Sequence, residues 1–402
     1  MYHSSVQSVF WDLLILMVVV WTAAVLLARI GVPRILGELL MGVLLGPAVL
    51  GWIEPTEVIE VLAELGIFFL ILHTGVQTKP EEFFSALRIS LGVALVGALV
   101  PFSVGVGVAY AFGLGIIGAL FVGLAMTATA VVTTLAVLND LGLESTRMAR
   151  VIMASSILDD LLTLVVFSVL IGIVEHGAVE PLPLLWIATK AALFLGLTIV
   201  AGRWLYPLLS HPFRNREGKG FTFVLVLGLG FGLMAEAIGL HLIVGAYLAG
   251  LFFREEVASP ELLEKVEDRL NGIAYSFLGP IFFISLGFHI TLDVLTGPGL
   301  GFLLTLTATV AIGQVLSAGG MALRVGFARV EALTVGVGMC GRAGLEFVLS
   351  SIALKVGAID AETFSVLIFT AFLLSLISPV GLKGCAVLLR RDEGSAAGFN
   401  PP

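Results

Sequence analysis

Few residues of this 402-residue chain can do chemistry, because charged side chains inside long apolar stretches are costly and rare. Those present are Asp12, Glu38, Asp159, Asp160, Lys190, Glu236, Arg342 and Glu346. Asp12, Lys190 and Glu236 stand within a few turns of the ends of their stretches, where a side chain can reach the interface. Glu38, in Gly37-Glu-Leu-Leu-Met-Gly42, reads as a helix-packing or helix-capping feature. Asp159-Asp160 does not reduce in this way. The pair lies about ten residues into an apolar run that begins near Arg150, which at a rise of about 1.5 Å per residue puts it about 15 Å deep, close to the centre of a bilayer. Two adjacent carboxylates there cannot both stay ionised without compensation, since burial penalises the charged form and each charge opposes the other. The pair therefore titrates as one unit. It can hold a proton or a cation and disfavours holding neither, and competition for one site is what an exchanger needs.

The elements that must position this pair are membrane helices. The chain is 58% hydrophobic and 12% charged, against about 25% charged in a soluble domain. Mean hydropathy is +1.10, which excludes a soluble globule. A helix crosses the hydrocarbon core with about 20 apolar residues. Candidate spans are 8–29, 34–53, 57–76, 84–112, 114–138, 147–174, 181–206, 220–238, 240–254, 271–290, 297–324, 330–355 and 361–389. The fold expected is an all-α polytopic membrane protein of about 13 transmembrane helices. Of the 21 basic residues, all but Lys190, Arg342 and Lys355 fall in the odd-numbered loops and the C-terminal tail. The positive-inside rule then sets the N-terminus outside and the C-terminus in the cytoplasm, in the cell (inner) membrane. The N-terminal apolar run lacks a basic n-region and is long enough to span, so a cleaved signal is not expected. The tail after Arg391 is short, so no soluble regulatory domain is expected in this chain. Membrane lipid is the partner expected, and nucleic acid is not.

Many secondary transporters carry inverted repeats. Val122-Gly-Leu-Ala-Met-Thr-Ala-Thr-Ala130 resembles Val335-Gly-Val-Gly-Met-Cys-Gly-Arg-Ala343 at an offset of 213. Both place a Gly/Ala/Thr-rich patch, weakly committed to helix, near mid-membrane. A small cation needs neutral oxygens beside the carboxylates. Ser155 and Ser156 precede the pair, and Thr127, Thr129, Thr133 and Thr134 lie on the preceding span. If that span is interrupted near Thr127–Thr129, unwound carbonyls can join them. The competing reading is that these threonines bond back to their own helix. Arg342 and Glu346 are four apart, so on one helix they share a face and can form an architectural charge pair. Alternatively, Arg342 neutralises the place where two half-helix ends meet. His289 reads as a local hydrogen-bonder. Cys340 and Cys385 have neither metal-like nor disulfide-like spacing.

Taken in order, several blocks resemble the monovalent cation:proton antiporters, in the branch holding NapA-type sodium/proton antiporters and the membrane domains of Kef-type potassium efflux systems. They are Ile35-Leu-Gly-Glu-Leu-Leu-Met-Gly-Val-Leu-Leu-Gly-Pro47, Leu62-Ala-Glu-Leu-Gly66 with Thr74-Gly75, Ala128-Thr-Ala130, Ile157-Leu-Asp-Asp160, Gly245-Ala-Tyr-Leu-Ala-Gly250, Phe282-Phe-Ile-Ser-Leu-Gly287 and Gly341-Arg342. The resemblance implies two discontinuous helices that cross near mid-membrane. It implies an ion-binding core, about 84–174 and 297–389, and dimerisation or scaffold helices, about 8–76 and 181–290, in a homodimer. Asp160 matches the essential cation and proton carboxylate, Asp159 its neighbour, and Thr129 lies at the first crossover. Transport of elevator type is implied, with no cofactor beyond the transported Na+ and H+.

Two departures matter. Asp-Asp members usually carry a lysine on the eleventh span that pairs with the first aspartate, and here Ala311-Ile-Gly-Gln-Val315 offers Gln314. Glutamine can hydrogen-bond Asp159 but brings no charge, so electroneutral exchange is expected. The family also often reads Gly-Arg-Gly-Glu, whereas Glu346 stands two positions later. Potassium/proton exchange of the Kef type is the nearest rival function. A cation channel and an intramembrane aspartyl protease are the rivals of other classes. The protease draws its aspartates from two facing helices, and no Gly-x-Gly-Asp motif occurs in this chain.

Overall fold

A computed structural model of the protein describes residues 34–77, 80–129, 146–176, 219–238, 240–251, 260–342 and 344–397, with shorter pieces at 10–11, 13–19, 21–22, 134, 137–138, 141–143, 189–190, 193–194 and 253. Asp12 and Thr133, half of the span expected over 8–29 and most of that over 181–206 lie outside the described residues. The named helices in chain order are α1 (Arg34–Leu45), α2 (Glu57–Gln77), α3 (Pro80–Ala111), α4 (Ile116–Ala125), α5 (Arg147–His176), α6 (Lys219–Ala237), α7 (Leu242–Leu251), α8 (Pro260–Ile273), α9 (Gly279–Phe288), α10 (Gly297–Arg324), α11 (Arg329–Gly338), α12 (Leu345–Lys355) and α13 (Ala361–Ala397). A π turn, Ala274–Leu278, joins α8 to α9 without a break. No strand occurs among the described residues. In hydrocarbon every backbone N–H and C=O must be satisfied within the chain, and helices do this locally.

Seven of these helical segments are long and apolar enough to cross a membrane: 57–77, 90–111, 147–174, 220–237, 263–288, 297–324 and 361–390. Four expected spans come out differently, and one of them, 240–254, is the ten-residue α7. The span expected over 34–53 is helical only to Leu45. It gives way to turns at Gly46-Pro47, since the residue before a proline is pushed out of the α region. The spans expected over 114–138 and 330–355 are interrupted, and their first halves, α4 and α11, are ten residues each. At about 1.5 Å per residue each is about 15 Å long, half of the roughly 30 Å hydrocarbon core.

The chain divides into two compact units, residues 1–80 with 164–291 and residues 81–163 with 292–402. The division falls inside α5, so the second half of that helix, from Leu164, groups with the first unit.

The first unit is held by close helix crossings. A Cβ built on Gly42 of α1 would lie 2.1 Å from the Ile284 carbonyl oxygen of α9, and one on Gly287 would lie 2.4 Å from the Val43 nitrogen. The crossing of α2 with α7 repeats the device: Cβ atoms on Gly75 and Gly250 would meet the Tyr247 and Leu72 carbonyl oxygens at 2.2 and 2.3 Å. Glycine lets backbones approach where lipid supplies no hydrophobic drive. Gly42→Ala is therefore expected to destabilise the protein by about 1–3 kcal/mol. Gly230→Ala, with open space around its Cβ, should leave the thermal midpoint in detergent unchanged. Equal midpoints for the two variants would contradict the packing argument.

The second unit carries the repeat expected at an offset of 213, and it is visible in element bounds. Helix α4 (Ile116–Ala125) corresponds residue for residue to α11 (Arg329–Gly338), and α3 ends at Ala111 as α10 ends at Arg324. The turns between them use Gly113 at φ +93° and Gly326 at φ +89°, a conformation that favours glycine. Each half-helix is gripped at a glycine, Gly123 against α3 and Gly336 against α10.

Candidate ion site at two helix breaks

Met126 and Met339, positions again 213 apart, are the C-caps of α4 and α11. Residues 126–129 and 339–342 are irregular, and α12 restarts at Leu345 after Gly344, whose φ is +65°. The sequence explains the breaks. Met126-Thr-Ala-Thr129 and Met339-Cys-Gly-Arg342 carry β-branched or glycine residues that are poor helix formers.

A helix end leaves carbonyls without partners, and in this unit side chains supply the donors. Arg342 is fully buried. Its Nη1 donates to the Ala128 carbonyl at 2.8 Å and to the Met339 carbonyl at 3.4 Å. Its Nη2 donates to the Met126 carbonyl at 2.8 Å and to Oε1 of Gln314 at 2.8 Å. One guanidinium thus caps the C-terminal ends of both half-helices, where the helix dipole favours a positive charge. Thr134 donates to the Gly338 carbonyl at 3.0 Å and Ser378 to the Val337 carbonyl at 3.1 Å. Ser375 donates to the Arg342 carbonyl and accepts from the Arg342 backbone N–H.

Beside this junction α5 carries the two aspartates. Asp159 is 0% exposed and neither carboxylate oxygen has a hydrogen-bond partner. Asp160 is 7% exposed and its Oδ1 is likewise without one. The Thr129 hydroxyl, in the first break, is buried and unpartnered too. Buried polar atoms are ordinarily paired, and these orphaned oxygens can accept a proton or a cation.

The other expected site residues divide. Thr127 bonds back to the Gly123 carbonyl at 3.1 Å, the purely local reading. Ser155 donates to the Ser90 carbonyl at 3.3 Å, and Ser156 to the Met339 sulfur at 3.5 Å. Gln314 does not hydrogen-bond Asp159. Its carbonyl oxygen is held by Arg342, and its amide nitrogen has no partner. Asp159 does have a cation acting on it, the Arg342 guanidinium. Arg342 and Glu346 act on each other by charge, but no hydrogen bond joins them. The two do not share a helix, because Arg342 lies in the break and Glu346 in the first turn of α12. Both Glu346 oxygens are buried without a hydrogen bond, and the Arg342 donors go to carbonyls instead.

In the first unit Glu38 is paired with Arg34 one turn earlier, Nε to Oε1 at 2.7 Å. His289 caps α9 and its Nδ1 lies 2.9 Å from the Ser285 carbonyl, a local role as expected. Sequence reasoning missed the capping serines, Ser375 and Ser378. Their signal was available in two small hydroxyl residues three apart on one face of an apolar span.

Apolar helices broken partway and repeated within one unit that also holds two buried carboxylates define a polytopic protein of the secondary-transporter class. The family model described as "Sodium/hydrogen exchanger, transmembrane" matches residues 13–387, and the chain belongs to that family. It is 28% identical over 382 residues to the Na(+)/H(+)-K(+) antiporter GerN of Bacillus cereus, with 93% of this chain and 95% of the relative covered. It is 27% identical to a Na(+)/H(+) antiporter of Enterococcus hirae, covering 88% and 92%. Among solved structures, the sodium proton antiporter MjNhaP1 from Methanocaldococcus jannaschii at pH 8 superposes with a TM-score of 0.75 at 18% identity. That match covers 95% of this chain and 98% of the other.

Proposed function

We propose that this protein is a secondary antiporter that exchanges Na+, or Li+, for H+ across a cell membrane. The observation that carries the reading is the buried pair Asp159 and Asp160, with unpartnered oxygens, beside two helix breaks. Asp160 takes the cation or the proton, and Thr129 with the unwound backbone contributes oxygen. Because both ligands need the same carboxylate, binding one releases the other. Alternating access is of elevator type, with an ion-binding core of about 84–174 and 297–389 carrying the site. The helices of about 8–76 and 181–290 serve as the scaffold and homodimer surface. The N-terminus lies outside and the C-terminus in the cytoplasm. Potassium is the second candidate cation, favoured by the name of the Bacillus relative.

The exchange is electroneutral in this reading. The cation acting on Asp159 is an arginine, and a guanidinium does not release its proton in proteins. Gln314 has no proton to release either. One proton at Asp160 then trades for one cation. Reconstituted in proteoliposomes with an internal pH dye, the protein should move protons on addition of Na+ or Li+. Its rate should be unchanged by an imposed potassium–valinomycin potential. A rate that follows the potential would overturn the one-to-one stoichiometry, and no response to Na+, Li+ or K+ would overturn antiport itself.

A further inference from the structure

We infer that Thr163 is a further ligand of the transported cation, one turn along α5 from the carboxylates; this rests on the exchange reading above. Thr163 stands four residues after Asp159 and three after Asp160, so the three share one helical face. It is 1% exposed, and its hydroxyl has no hydrogen-bond partner. That is unusual for a hydroxyl in a helix, which ordinarily donates to the carbonyl four residues earlier. Several others among the described residues do so: Thr74 to Leu70 at 2.8 Å, Thr334 to Val330 at 2.8 Å, and Ser168, on this same helix, to Leu164 at 3.0 Å, whereas the buried Ser90 and Ser350 hydroxyls, like that of Thr163, have no partner. Thr163 leaves that bond unmade.

The unmade bond has company. Both Asp159 oxygens, Asp160 Oδ1 and Thr163 Oγ1 are all buried and unpartnered on consecutive turns of one face. Hydroxyls on the other side of the aspartates, Ser155 and Ser156, have their protons committed to Ser90 and Met339. A hard cation gives up its water only for several oxygens, and carboxylates alone do not complete the set. The Thr163 and Thr129 hydroxyls have neither a donor nor an acceptor partner, so both are open to the ion. Thr163 therefore coordinates the ion from α5 as Thr129 does from the break.

The test uses the whole protein in proteoliposomes, with Thr163→Val, which keeps the shape, Thr163→Ser, which keeps the oxygen, and Ser168→Ala as a helix control. Thr163→Val should raise the KM for Na+ about tenfold, equivalent to about 1.4 kcal/mol, with the loss falling on KM more than on turnover at saturating Na+. Thr163→Ser should stay within about twofold of the parent, and Ser168→Ala should match it. The rise in thermal midpoint that Na+ gives the parent in detergent should shrink in Thr163→Val, which reads binding without transport. An unchanged KM and midpoint rise in Thr163→Val would overturn the inference. So would equal losses in the valine and serine variants, because shape rather than oxygen would then be responsible. If the parent itself shows no Na+-driven proton movement, it is the exchange reading that falls.

Discussion

Replacing Asp160 by asparagine should abolish sodium-dependent proton movement, read by dye dequenching in proteoliposomes, while the protein stays folded. Asparagine has nearly the shape of aspartate but can neither ionise nor take up a proton in this range. It removes both halves of the exchange at once. Losing a contact with a charged group is worth up to about 3 kcal/mol, which at 1.4 kcal/mol per tenfold is about 100-fold in apparent affinity. Loss of proton carriage takes the remaining flux to background. The fold should tolerate the change because Asp160 makes no hydrogen bond through Oδ1 that asparagine would break. Asp159→Asn is the informative contrast. Asp159 is the more buried of the two and lies under the field of Arg342. Its replacement should raise the KM for Na+ yet leave measurable exchange. Unchanged transport in Asp160→Asn would sink the assignment of the cation site, and equal abolition by both variants would sink the division of labour between them.

Replacing Arg342 by leucine should damage the protein itself. The guanidinium donates to three backbone carbonyls and one amide oxygen, all in the interior. Leucine fills much of the space and satisfies none of them. Removing one side of a buried charged network costs about 3–5 kcal/mol. We expect Arg342→Leu to lower the thermal midpoint in detergent sharply and to yield little active protein. Arg342→Lys separates charge from geometry. Lysine restores a positive charge at the half-helix ends, but its compact ammonium cannot span the Met126 and Ala128 carbonyls as a planar fork does. It should recover only part of the lost stability. A lysine variant as stable as the parent would mean that charge alone holds the junction. A leucine variant as stable as the parent would mean that the breaks need no cap.

Much of this was legible in the residues. The apolar runs, the pair at 159–160 and the match between Val122–Ala130 and Val335–Ala343 required no coordinates, because each is a pattern within a few turns of one helix. The glycines of the early motif and of Gly245–Gly250 were visible as motifs but not as crossings. Their partners, Ile284 for Gly42 and Leu72 for Gly250, stand far along the chain. Gln314 shows the limit more sharply. Its type said that it would hydrogen-bond and would not titrate, and both statements stand. The resemblance places it where it can hydrogen-bond Asp159, yet its oxygen is taken by Arg342.

The spacing of Arg342 and Glu346 does not place them on one helix, for a related reason. Four residues mean one face only where the helix is continuous, and here Gly344 interrupts it at φ +65°. Composition and periodicity by themselves determined that this is an all-helical membrane protein with two weak points and a pair of carboxylates deep in one span. The tertiary structure alone decided which polar groups are spent on holding the breaks together and which are left over. A helix satisfies its own backbone locally, so its existence can be read locally. A helix that stops in mid-membrane hands its unpaired carbonyls to whatever donor the fold brings near. For Ala128 that donor is an arginine 214 residues away, whose reach also draws in Gln314. Asp159, Asp160, Thr129 and Thr163 keep oxygens that no such partner has claimed.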